Sequence, residues 1–122
     1  TETILLVEDE EMVRRLTKQI LEECGYTVIE AGNGLEALKI CEQSDFSFDL
    51  LMTDVVMPEI GGRELSEILK SKLPDLRVLF TSGYTDDAIV RHGVIEINSN
   101  FIQKPFSPEM LASKVREILD NS

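Results

Sequence analysis

The chain has 122 residues, 43% of them hydrophobic, with 23 acidic against 12 basic side chains and a net charge of −11. That length suits one domain spanning residues 1–122, and the composition is apolar enough for a core and too poor in Pro and Gly for disorder. The acid excess argues against direct nucleic-acid binding, which needs a basic face, and no apolar run is long enough to insert into a bilayer.

The segment TILLVE is continuously apolar, as a strand covered on both faces would be. EEMVRRLTKQILEECGY follows as a helix, with Met12, Val13, Leu16, Ile20 and Leu21 at helical spacing and Gly25 as its stop. YTVIEA is a second strand, and NGLEALKICEQS a second helix that starts at Asn33 and Gly34. FDLLMTD is a third strand, GRELSEILKSKL a helix closed by Pro74, and LRVLFTS a fourth strand. TDDAIVRH reads as a short helix ended by Gly93, and NFIQK as the fifth strand. SPEMLASKVREILD is the last helix, with Ser107 as N-cap, Pro108 in its first turn and an inner stripe of Leu111, Val115, Ile118 and Leu119. Cys24 and Cys41 fall on separate helices and read as small, reduced core residues.

Five strands therefore alternate with five helices, which predicts an α/β fold with a parallel sheet covered by helices on both faces. Right-handed crossovers put all the strand carboxyl ends on one rim, where ligands of open α/β sheets bind. The first strand runs into Glu8–Glu11, the third ends at Asp54, the fourth in Thr81–Gly83 and the fifth in Lys104–Phe106. Taken singly these are ordinary solvated strand ends, helix-start acids or a surface lysine. Together they bring carboxylates, a hydroxyl and an ammonium to one rim. Two carboxylates about 4 Å apart repel by roughly 4 kcal/mol at an effective dielectric of 20, a cost that a hard divalent cation removes. Mg²⁺ takes oxygen ligands, and a carboxylate beside it can act as a nucleophile toward phosphorus. Lysine and hydroxyl groups would then hold the phosphoryl oxygens.

The order and spacing of ILLVEDE, LLMTDVVMP, FTSG and FIQKPF resemble the receiver domain of two-component response regulators over essentially the whole chain. The stretch from LRVLFTSGYTDD to FIQKPFSPEML is also similar to receivers fused to hybrid sensor histidine kinases. The resemblance implies a flavodoxin-like (βα)5 fold with strand order 2-1-3-4-5. It implies that Asp54 accepts a phosphoryl group from a phosphohistidine, with Mg²⁺ as cofactor. Asp9 and Asp54 would bind the metal directly, Glu8 through water, and Val56 through its backbone carbonyl. Lys104 would contact the phosphate, with a cis bond to Pro105. Ser82, followed by small Gly83, matches the switch hydroxyl, with Thr81 as the alternative, and Phe101 matches the switch aromatic. The implied partners are a sensor histidine kinase or phosphotransfer domain and a downstream output or phosphotransfer protein. The implied setting is cytoplasmic, in a piece of a longer chain that can itself be membrane-associated and can be a hybrid histidine kinase.

On this reading the domain is a phosphoacceptor with self-phosphorylation and self-dephosphorylation chemistry, not a conventional turnover enzyme. A Mg²⁺-dependent phosphohydrolase would place a second acid soon after its nucleophile, where this chain has Val55, Val56 and Met57. A docking module that had lost phosphorylation would not keep Asp9, Asp54, Ser82 and Lys104 together. The P-loop signature does not occur. His92, the only histidine, sits beside Arg91 and reads as a surface residue, while Met52 and Met57 read as packing. Val56 and Tyr84 flank the approach to Asp54 without an acid or amide to orient water, which predicts slow self-dephosphorylation.

Overall fold

The computed structural model describes residues 2–43, 47–82 and 100–120. The elements are β1 (Thr3–Val7), α1 (Glu11–Glu23), β2 (Thr27–Ala31), α2 (Gly34–Gln43), β3 (Leu50–Asp54), α3 (Gly62–Lys72), β4 (Arg77–Ser82), β5 (Phe101–Gln103) and α4 (Pro108–Asp120). The five strands form one parallel sheet in the order β2-β1-β3-β4-β5. Four helices belong to the described residues; the expected helix at TDDAIVRH, together with Tyr84, His92 and Gly93, lies outside them.

The apolar runs of β1 and β3 follow from coverage on both faces. Leu5, Val7 and Leu51 pack with Ala37 and Cys41 of α2 and with Leu65 and Leu69 of α3. Ile4, Leu6, Leu50 and Met52 pack with Ile20 and Leu21 of α1 and with Leu111, Val115 and Ile118 of α4. Alternation along the strands thus assigns each residue to one of two cores.

The helix starts behave as their residues dictate. Asn33 Oδ1 accepts from the Glu36 amide at 2.8 Å, and Ser107 Oγ from the Met110 amide at 3.1 Å, capping α2 and α4. Gly25 ends α1 with φ 97°, a conformation that suits glycine.

Two expectations fail on α1. Met12 is 85% and Leu16 60% exposed, while Thr17 is buried and bonds back to the Val13 carbonyl at 2.7 Å. Helical spacing groups residues by face, but the sheet takes the face centred on Thr17, Ile20 and Leu21. Cys41 is buried as expected, whereas Cys24 is exposed, because it caps the helix beyond that face. No described helix is long and apolar enough to cross a membrane.

Candidate functional site at the carboxyl rim of the sheet

Parallel pairing brings the ends of β1, β3, β4 and β5 to one rim. Asp54 is the last residue of β3 and is 5% exposed. The turn after it is tight: the Gly62 amide donates to the Val55 carbonyl at 2.8 Å, and a Cβ on Gly62 would run into the Asp54 backbone. Within that turn the Ile60 amide donates to Pro58 at 2.8 Å around Glu59, whose φ is 68°. This is a γ-turn of the rarer, positive-φ kind. The Val56 side chain faces outward from the same loop, 46% exposed.

Glu8, just past β1, is buried, and Asp9 beside it is exposed. Carboxylate oxygens of Glu8, Asp9 and Asp54 lie within 4.8 Å of one another. Lys104 reaches into the group from just past β5, with Nζ 2.6 Å from Glu8 Oε1 and 2.7 Å from Asp54 Oδ1. The Lys104 amide donates to the Ser82 carbonyl at 2.8 Å, and its peptide bond to Pro105 is cis, as expected. The other Glu8 oxygen accepts from the Glu10 amide at 3.0 Å.

Charge here is out of balance. Burial, and then the neighbouring Asp54 carboxyl, push the Glu8 pKa up to about 7, although Lys104 and the Glu10 amide pull against them. Burial works against the Lys104 charge, but its hydrogen bonds to Asp54 and Glu8 outweigh that and hold it above the ordinary lysine value. One ammonium thus serves two buried carboxylates, with a third acid at the edge.

The two hydroxyls at the end of β4 behave differently. Thr81 is the register partner of Asp54, and its Oγ1 donates to Asp54 Oδ1 at 2.6 Å. Ser82 is 1% exposed, and its Oγ has no hydrogen-bond partner among the described residues. Alternation explains this: Thr81 shares its face with Asp54, and Ser82 points to the other. Phe101 is half-buried, in register with Phe80 against the core on the α2–α3 side.

Sequence reasoning passed over Arg14. Its Nη1 donates to the Glu8 carbonyl at 2.8 Å while its Nε pairs with Glu30 at 3.0 Å, so it ties the acidic turn to α1 and β2. Its place on α1, four residues before Lys18 and facing Glu30 on the next strand, was the available signal. Beside Lys104, Glu10, Val13, Leu16, Ile20, Pro105 and Phe106 border an apolar groove of about 440 Å³.

The family model described as the response regulator receiver domain matches residues 4–116. The chain is 43% identical over 118 residues to the sensor kinase CckA of Brucella abortus (strain 2308), covering 97% of this chain and 12% of the kinase. It is 34% identical over 116 residues to the response regulator receiver protein CpdR of the same strain, covering 95% of each. The crystal structure of the receiver domain of the hybrid histidine kinase CckA superposes with a TM-score of 0.78 at 36% identity, over 96% of this chain and 98% of that one.

Proposed function

Because the chain belongs to the response regulator receiver domain family, whose members act in two-component signalling, we propose that it takes a phosphoryl group from a phosphohistidine onto Asp54. The observation that carries this is the Asp54 carboxylate itself. It is held at a buried strand end, 2.7 Å from an ammonium that it shares with a second buried acid. An Asp54 oxygen lone pair forms the new bond to phosphorus, the phosphorus–nitrogen bond of the donor breaks, and its electron pair returns to the imidazole. Catalysis of such a transfer is mostly positioning and charge neutralisation.

The donor set fits Mg²⁺, which prefers hard oxygen ligands and whose charge would favour the ionised Glu8 carboxyl against the burial that lifts its pKa. Asp9, exposed at the edge, and Asp54 would hold it directly, with the Val56 carbonyl, and Glu8 through water. When bound, the metal supplies neutralisation of the phosphoryl oxygens. Lys104 exchanges its grip on Asp54 for a phosphoryl oxygen. Ser82 has a buried hydroxyl without a described partner, a costly arrangement that a phosphoryl acceptor would relieve. Its move toward the phosphate would let Phe101 turn inward as the switch.

A histidine-bearing partner has to cover this rim, and the apolar groove that Leu16 and Lys104 border supplies a surface for its helix. The identity to CckA supports a receiver carried by, or relayed from, a hybrid kinase. Incubation with acetyl phosphate and Mg²⁺ should add one phosphoryl mass, and Asp54→Asn should abolish it; full labelling of that variant would refute the assignment.

A further inference from the structure

Resting on the reading of Asp54 as phosphoacceptor, we infer that Thr81 is a positioning residue for it, distinct from the hydroxyl that answers the phosphate. Both described side-chain donors to Asp54, Thr81 Oγ1 at 2.6 Å and Lys104 Nζ at 2.7 Å, fall on the same oxygen, Oδ1. An aspartate carboxylate turns easily about its last torsion, which has a broad, roughly two-fold profile. Two donors on one oxygen stop that rotation and turn the other oxygen outward from the pair.

Lys104 does not hold the carboxylate alone, because it is shared with Glu8 at 2.6 Å and has to release Asp54 when a phosphoryl oxygen arrives. Among the described residues Thr81 Oγ1 has Asp54 alone as its partner. Thr81 is 3% exposed, sits in register with Asp54 across the β3–β4 ladder, and its carbonyl accepts from the Val55 amide at 3.0 Å. Its β-branched side chain is stiff in a strand, so the hydroxyl is aimed before any donor binds. Thr81 therefore orients the nucleophile in the resting state, and Ser82 is left free for the phosphorylated one.

The test compares rates of phosphorylation by acetyl phosphate at saturating Mg²⁺. There an Asp54 oxygen displaces acetate, which leaves with the electron pair of the broken phosphorus–oxygen bond. Thr81→Val keeps the shape and loses the donor; it should label roughly tenfold more slowly, a larger loss than any fall in its melting temperature explains. Thr81→Ser loses a buried methyl and keeps the donor; it should melt lower yet label within about twofold of wild type. A purely structural role predicts the reverse ranking. Thr81→Ala against Thr81→Ser repeats the comparison with the hydroxyl as the one difference, should the valine variant fold poorly. Wild-type labelling by the valine or alanine variant, or labelling of the serine variant as slow as theirs, overturns the inference. Labelling that survives Asp54→Asn instead removes the phosphoacceptor assignment, whatever Thr81 does.

Discussion

Two ion clusters border α1, both built from carboxylates and cations but with opposite charge balance. At β2, Glu30 meets two cations, Arg14 at 3.0 Å and Lys18 at 3.1 Å, and their hydrogen bonds lower its pKa. At the carboxyl rim, Glu8 and Asp54 share one cation among the described residues, Lys104, and burial first of all raises the Glu8 pKa to about 7. Arg14 touches both clusters, giving its guanidinium charge to Glu30 and a hydrogen bond to the Glu8 carbonyl. The first cluster gives its carboxylate two cations and fastens a helix to a strand. Among the described residues the second has more acids than cations in a buried setting, an arrangement that favours an incoming cation and that ordinary structural ion pairing avoids. Counting charges, rather than noting residue types, separates fastening from chemistry.

The largest effect that would sharpen this contrast lies in metal binding. Asp9→Ala should weaken Mg²⁺ binding roughly a hundredfold, since few protein oxygens hold such an ion. Equal Mg²⁺ titrations of wild type and variant would put the ion elsewhere.

A pH test comes next. With its folded pKa raised, Glu8 keeps its proton in the fold between about pH 4.5 and 7, where the unfolded chain has lost it. The folded state then binds more protons, so this group's contribution falls as pH rises through that window. In chelator, the stability of Glu8→Gln relative to wild type should therefore climb by about 2 kcal/mol between pH 4.5 and pH 7.5. A flat difference in denaturant titrations would mean that Glu8 carries no such strain.

Neutralising one acid in each cluster should give smaller effects of opposite sign. Asp54→Asn leaves Lys104 and Glu8 as a balanced pair and should stabilise the metal-free protein by about 1 kcal/mol even as it ends labelling. Glu30→Gln breaks two half-exposed pairs and should destabilise by about 0.5 kcal/mol with labelling intact. Thermal melts that moved both variants the same way would break the comparison.

Much of this molecule was legible in one dimension. Continuous apolar runs at Ile4–Val7 and Leu50–Met52 require strands covered on both faces, and alternation with helical periods requires a parallel sheet. The positions of Glu8, Asp9, Asp54 and Lys104 just at or past strand ends then follow, because a parallel sheet gathers those ends on one rim. Angles and distances between elements had to come from the fold. Spacing grouped Met12 and Leu16 with Ile20, but only the seating of α1 on the sheet turned them outward and buried Thr17. Motif order brought Thr81 and Ser82 to the rim together, and the register of β4 against β3 decided which hydroxyl meets Asp54. The sharing of Lys104 between two carboxylates likewise depends on lateral distances across β1, β3 and β5. Periodicity says which residues share a side; packing across the sheet sets which side is buried and which charges come within reach.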